Sequence, residues 1–258
     1  TTTINAGATL QIGNATTTGT LGSGAVTNNG TLIFNRSDAI TVANAISGSG
    51  DLTQAGQNTA TLTANNSYAA TTINTGATLQ IGNAGTTGTL GSGAVTNNGS
   101  LIFNRSNAMT VANDISGSGS LTQAGANTVT LTGTNSYGTT TINAGAALQI
   151  GSGLSDSTTG TLGSGAVTNN GTVTFNRSNA MTVANAINGS GAVNQAGGGS
   201  TTLSVANAYT GLTTVSAGTL VVTNDSALGG TGTGTTVSGG TLDVQANIGA
   251  EPITLSGG

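Results

Sequence analysis

Val26-Thr-Asn-Asn-Gly-Thr-Leu32 is the stretch on which the reading turns: an aliphatic residue, a small polar bend containing glycine, and a second aliphatic residue six positions after the first. The same frame recurs at Ile4/Leu10, Ile46/Leu52, Ile73/Leu79, Val95/Leu101, Ile115/Leu121, Ile142/Leu148, Val167/Val173 and Ile187/Val193. It tightens by one residue at Val215/Leu220 and Val237/Leu242. Each bend holds a glycine: Gly7, Gly30, Gly50, Gly76, Gly99, Gly119, Gly145, Gly171, Gly191, Gly218 and Gly240. Glycine takes left-handed backbone angles without steric cost, so a glycine at every corner predicts a chain that turns the same way each time. A bend repeated at this period is the signature of a solenoid.

Between bends, apolar residues fall at every second position: Leu10 and Ile12, Leu32 and Phe34, Ile40, Val42 and Ile46, Ala60 and Leu62. That is the period of a strand with one buried face, and Ile, Val, Leu and Thr are strand formers. Thr41, Thr59, Thr61 and Thr63 are expected to face solvent. A single coil orders too many residues for the few aliphatic side chains it can bury, so coils must stack on one another as parallel strands.

A longer repeat overlies the short one. GTLGSGAVTNNG occurs at 19–30, 88–99 and 160–171, and FNRS follows at 34, 103 and 175 with the same offsets. Steps between equivalent bends predict three coils per long repeat and about eleven coils in all. The long repeats are read as about 4–72, 73–141 and 142–214, with shorter coils over 215–258, in one continuous solenoid from 1 to 258. The third repeat carries extra residues around 151–157, which only a surface loop absorbs without flipping strand register. The aliphatic pairs are expected to form two inward columns, with Phe34, Phe103 and Phe175 at equivalent inward positions.

Composition narrows the function classes. The chain has 44 glycines, one proline, no cysteine, no histidine, and seven acids against three basic residues, all arginine. A net charge of −4 argues against a nucleic-acid partner, which needs a basic footprint. Without cysteine there are no disulfides or thiolate metal sites, a composition compatible with export. No apolar run is long enough to span a bilayer, and no basic and apolar leader opens the chain. It begins at Thr1 inside a repeat and reads as a mature fragment.

GSGDLTQAGQNTATLTANNSYAATTINTGATL at 48–79, GSGSLTQAGANTVTLTGTNSYGTTTINAGAAL at 117–148 and GSGAVNQAGGGSTTLSVANAYTGLTTVSAGTL at 189–220 carry a further resemblance. They resemble the autotransporter-associated β-strand repeat of type V secreted bacterial passengers. The third copy fits most closely through Tyr209-Thr-Gly-Leu-Thr-Thr-Val-Ser-Ala-Gly-Thr-Leu220, whereas the earlier two lack one residue after Tyr68 and Tyr137. The resemblance implies an all-β, right-handed parallel β-helix with no separate globular domain. It also implies passage through the outer membrane of a Gram-negative bacterium by a C-terminal barrel absent from this chain, and display or release as an adhesin or stalk. The partners implied are a host or neighbouring-cell surface, glycans, or copies of the chain stacked end to end, since neither end carries a readable cap.

Catalysis on such a scaffold needs clustered carboxylates with basic or metal support, but Asp38, Asp51, Asp114, Asp156, Asp225, Asp243 and Glu251 are scattered, and serine has no histidine base. The chain therefore reads as a non-enzyme with no metal or cofactor. Thr59/Thr61/Thr63 and Thr128/Thr130/Thr132 have the local look of an ice-binding array, which the coils between them do not continue. Two repeated sets remain as candidate contact residues. Arg36, Arg105 and Arg177 follow each phenylalanine by two positions and read either as solvated turn residues or as a ladder on one outer edge that meets acidic glycans. Tyr68, Tyr137 and Tyr209 read either as a carbohydrate-stacking stripe or as rings covering the core. Asn28-Asn29, Asn97-Asn98 and Asn169-Asn170 are assigned to the corner itself.

Overall fold

The computed structural model describes residues 1–256. Among these there are thirty short strands and no helix. Strands pair in parallel across successive coils, as in Leu10↔Leu32↔Leu52, and wind a right-handed β-solenoid of about 13 turns.

Two compact units make up the chain. The first comprises residues 1–107, 112–125 and 136–138; the second comprises 108–111, 126–135 and 139 onward. In the first unit three parallel ladders form the walls. One holds Thr2–Ile4, Val26–Asn28 and Ile46–Ser47. A second runs Thr9–Thr16, Thr31–Arg36, Asp51–Gln54, Thr71–Ile73, Val95–Asn97 and Ile115–Ser116, and the third runs Ile40–Val42, Thr59–Leu62, Thr78–Gly85, Ser100–Arg105 and Ser120–Gln123. The second unit is built the same way. Its longest ladder runs from Met109–Val111 through Thr172–Phe175 and Ala192–Gln195 to Ile253–Leu255, beside another that runs from Met181–Val183 to Thr241–Val244.

The aliphatic frame is the core, as expected. Of the residues in the eleven pairs, all are buried except Leu10 and Leu242, which are half-buried. The expected columns are corrected, however. The inward column of the second ladder reads Leu10, Leu32, Leu52, Thr71, Val95 and Ile115, so first and second members of the pairs share one stack.

The reason lies in the length of a turn. Three turns carry this ladder from Leu32 through Leu52 and Thr71 to Val95, and one corner then leads on to Leu101, the repeat equivalent of Leu32, which sits on the next ladder. A long repeat is therefore three turns plus one face. The step from Ile46 to Ile73, expected to be a single coil, is longer than one turn: Ser47↔Ser67 closes the turn, and the residues on to Ile73 add one face, so that such added faces raise the count from eleven. Phe34 and Phe103 are both buried, but they lie on different ladders of the first unit, and Phe175 belongs to a ladder of the second.

The corner glycines also need a different account. Gly7, Gly76, Gly145 and Gly218 have positive φ, but Gly30, Gly50, Gly99, Gly119, Gly171, Gly191 and Gly240 do not. In these the missing side chain makes room for a neighbouring coil. A Cβ on Gly50 would lie 2.1 Å from the Gly30 carbonyl oxygen, and one on Gly119 would lie 2.3 Å from that of Gly99.

Loops behave as their composition suggests, with one exception among the threonines. Residues 151–157 form an irregular loop in which the Ser152 N–H donates to Ser157 Oγ at 2.8 Å. The first two repeats instead continue the strand through a bulge after Ile12 and Ile81, with Ala15 and Ala84 at φ of 56° and 57°. Thr41 is exposed and Thr59 and Thr63 are half-exposed, but Thr61 is covered between Thr41 and Gln80 on its neighbouring strands.

Candidate functional site

Arg36 ends the strand Thr31–Arg36 two residues after Phe34, a spacing that puts both side chains on one face of the pleat. Its guanidinium turns back under the preceding coil and donates to the carbonyls of Thr17 and Gly19, and to both carboxylate oxygens of Asp38 at 2.7 and 2.8 Å. Arg105 repeats the clamp on Thr86 O (2.6 Å) and Gly88 O (3.0 Å), and Arg177 repeats it on Thr158 O (2.6 Å) and Gly160 O (3.1 Å). Here Asn107 and Asn179 replace Asp38 as acceptors. Gly13, Gly82 and Gly151 lie over the arginine stems, with a Cβ at each 2.6 to 2.7 Å from the Cγ of the arginine.

Charge differs among the three clamps. Hydrogen bonding to Asp38 raises the Arg36 pKa and lowers that of Asp38, whereas burial lowers the pKa of Arg105 and of Arg177. Among the described residues the Arg36–Asp38 contact is the one ion pair.

The expected arginine ladder is not formed. Arg36 and Arg105 belong to different ladders of the first unit, because each long repeat advances by one face, and Arg177 follows a strand of the second unit. All three are at most half-exposed and hold loops.

The tyrosine stripe is corrected as well. Tyr68, Tyr137 and Tyr209 are fully buried, so none offers a ring face to a sugar. The Thr71 hydroxyl donates to the Tyr68 hydroxyl at 3.1 Å, and Tyr209 and Thr213 share a hydrogen bond of 2.7 Å. Burial pushes the Tyr68 phenol up to about 12 and raises that of Tyr209.

Asparagine and glutamine do more than the corner assignment foresaw. Asn28, Asn97 and Asn169 are fully buried and donate across the coil to the carbonyls of Asp51, Ser120 and Ala192 at 2.8 to 2.9 Å. Asn29, Asn98 and Asn170 instead accept from the backbone of Ser49, Ser118 and Ser190. Asn44, Asn113 and Asn185 were not singled out in the sequence, although they recur at the offsets of FNRS. Each donates to two loop carbonyls, Gly22 and Gly24, Gly91 and Gly93, and Gly163 and Gly165. Buried Gln54, Gln123 and Gln195 follow the same logic, donating to the glycine two residues ahead.

In the first and third repeats these loops roof a cleft. Since each long repeat advances by one face, Ile40–Val42 and Met181–Val183 each start a ladder and have no strand on their N-terminal side. In the first repeat the resulting space beside Leu21, Ile40 and Asn44 is small, about 70 Å³. Its equivalent in the third repeat, walled by Thr161, Ser164, Arg177, Met181, Thr182 and Asn185, reaches about 450 Å³.

Among the described residues no three acids gather as a metal site would require, and no helix is long and apolar enough to cross a membrane. No curated protein and no solved structure matches the chain. A family model described as Passenger-associated-transport-repeat matches residues 52–81, 121–150 and 193–222. Each segment begins at a buried aliphatic residue, Leu52, Leu121 or Val193, and includes one of the inward glutamines and one of the buried tyrosines. The chain thus carries three passenger-associated transport repeats, the repeat class of autotransporter passengers, built as coils of a parallel β-solenoid.

Proposed function

We propose that this chain is a structural segment of a bacterial autotransporter passenger, held at or released from the cell surface, which acts as a stalk and presents an adhesive outer face. One observation carries the reading. The polar side chains that recur with the long repeat, arginine, asparagine and glutamine alike, are spent on backbone groups of their own and neighbouring coils. What recurs is therefore the scaffolding of the coil. Outward positions such as Thr41, Thr110 and Thr182 stay small, polar and exposed, which suits a surface in contact with water and glycans.

The test is display followed by binding. The chain, carrying an N-terminal epitope and fused ahead of a translocator barrel, should bring that epitope to the surface of a Gram-negative cell and resist external protease. Purified chain should then bind cells or glycan arrays in a saturable way. Failure of display with intact folding would overturn the passenger reading. Display without binding would leave a passive stalk, and concentration-dependent assembly without cell binding would favour a filament subunit.

A further inference from the structure

The third long repeat departs from the other two at one loop. The first two run on as strand and pair Thr16 with Arg36 and Gly85 with Arg105, whereas the third bends irregularly from Gly151 to Ser157. Gly153, Leu154, Ser155 and Asp156 are exposed in succession, and the Leu154 side chain is 64% exposed.

The loop has few ties. The Leu154 N–H donates to Ser152 Oγ at 3.4 Å, its carbonyl accepts from the Ser157 N–H at 2.9 Å, and the Asp156 carbonyl accepts from the Thr158 N–H at 2.8 Å, so residues 154–156 bond only within the loop. Two backbone bonds hold its ends on the next coil, from the Gly153 N–H to the Asn176 carbonyl at 3.0 Å and from the Ser178 N–H to the Ser157 carbonyl at 2.8 Å. The Arg177 clamp starts just downstream, at Thr158 and Gly160. A protease must draw several residues into an extended conformation, and an exposed tip of small polar residues opens for that at the least cost.

Elsewhere among the described residues, the side chains that a protease reads are withheld. The three guanidiniums are held in their clamps, and the phenylalanines and tyrosines are buried. Leu21, Leu90 and Leu162 lie in loops, but each of those loops is tied by an arginine and an asparagine of the next coil. Leu212 is exposed, yet its carbonyl accepts from the Val193 N–H and it leads directly into the strand Thr213–Val215. The other exposed large apolar residues, Val244, Ile253 and Leu255, belong to strands.

We propose that this insertion is a processing site, where an endoprotease with an apolar primary pocket hydrolyses the Leu154–Ser155 bond. Water supplies hydroxyl to the Leu154 acyl carbon and hydrogen to the Ser155 nitrogen as the C–N bond breaks. The two pieces stay joined, because Ala147–Ile150 before the cut pairs with Thr172–Phe175 after it, and Thr140–Ile142 pairs with Val167–Asn169. Asn135 and Thr161 also exchange hydrogen bonds across it. Resistance of the displayed chain to external protease is then a property of its coils, to which this loop is the exception. The site does not depend on whether the chain is displayed, so it stands or falls separately from the stalk assignment.

The purified chain would be treated with chymotrypsin and, in parallel, with trypsin, and the products followed by intact mass and by size-exclusion chromatography with and without urea. Chymotrypsin should cut first after Leu154, at least tenfold faster than at any other internal bond, and the fragments should co-elute until urea is added. Trypsin should leave the chain whole under the same conditions. Leu154→Asp should slow the chymotrypsin cut at least tenfold. Leu154→Arg should pass the cut to trypsin, with the bonds after Arg36, Arg105 and Arg177 still intact. The side chain is exposed, so both variants should keep the circular dichroism of the parent. A first cut at another bond, an unchanged rate in Leu154→Asp, or trypsin cutting Leu154→Arg no faster at 154 than at the three native arginines would overturn the site. Fragments that part without urea would overturn the paired product.

Discussion

Asn28 is completely buried, and its side-chain amide crosses to the next coil to donate to the carbonyl of Asp51 at 2.9 Å, while its own oxygen accepts from the Gly30 N–H at 3.3 Å. One side chain thus satisfies two backbone groups at a corner where the ladder is interrupted. The same pair of bonds joins Asn97 to Ser120 and Gly99.

Replacing Asn97 by alanine would leave both groups buried without a partner, at a cost on the order of 3 kcal/mol. Asn97→Asp keeps the acceptor for Gly99 but loses the donor to Ser120 and buries a charge. Its destabilisation should therefore exceed that of alanine at pH 7 and shrink in acid as the carboxyl is protonated. Urea unfolding at pH 7 and pH 4 measures both effects; an aspartate variant insensitive to pH would contradict the buried geometry.

Leu101 is fully buried between Leu79 and Leu121 on the neighbouring strands. Leu101→Asp places an unpaired charge in that column and should cost roughly 4 kcal/mol or more. In a stacked repeat the damage is felt mainly by adjoining coils. Hydrogen exchange should accelerate across residues 78–123 while the coils around Val26 and Val42 keep their protection. Uniform acceleration through the first unit would show that it unfolds as one block.

The glycines separate two kinds of requirement. Gly50→Ala introduces a Cβ against the Gly30 carbonyl at 2.1 Å, although its φ is not positive, so two coils must move apart. Gly7→Ala meets no atom within 4 Å and bears only its left-handed angle, φ 78°. The second should cost about 1 to 2 kcal/mol, and Gly7→Asn less. Gly50→Ala should cost clearly more than Gly7→Ala in thermal unfolding. The reverse order would mean that the corner is governed by backbone angle after all.

What could be read from the residues was the coil itself. The spacing of Val26 and Leu32 identified buried positions because burial follows from period, and a period is visible in one dimension. Phase was not visible. Whether Leu101 stacks on Leu32 depends on how far the long repeat overshoots three turns, which only the pairing of Leu32 with Leu52, Thr71 and Val95 in succession reveals. The arginine ladder failed for that reason, and the tyrosine stripe failed because a tyrosine near a loop looks the same in sequence whether its ring is covered or open. Asn44, Asn113 and Asn185 recur with the long repeat, but nothing in an isolated asparagine states that its partner is a loop one coil earlier.

Arg105 is a test of the clamp. Its guanidinium reaches Thr86, Gly88 and Asn107 at once, a fork that lysine cannot reproduce. Arg105→Lys and Arg105→Ala should both free the loop from 85 to 90, seen as faster hydrogen exchange there and new protease cleavage, with little change at Val95 and beyond. If lysine restores full protection, charge alone holds the loop.

The alkaline limb of stability belongs to the tyrosines. The three tyrosines are the side chains that titrate between the carboxylates and the arginines, since the chain has no histidine, cysteine or lysine. Burial raises the Tyr68 phenol from 10 to about 12, and Tyr209 rises as well. The folded state therefore holds these protons more tightly than the unfolded state. Stability is complete below pH 10, where both states are protonated, and falls as pH climbs from 10 through about 12, where only the unfolded chain ionises. For Tyr68 that loss is on the order of 3 kcal/mol. Tyr68→Phe gives up the hydrogen bond with Thr71, about 1 kcal/mol at neutral pH, but it also removes one ionisable group from the unfolded chain. Its stability should consequently decline less steeply than that of the parent between pH 10 and 12, so that the two curves converge. Urea unfolding at pH 8, 10 and 11.5, with tyrosinate absorbance at 295 nm as a second probe, reads both slopes. Parallel slopes, or tyrosinate forming near pH 10 before the fold is lost, would show that the Tyr68 ring is open to water.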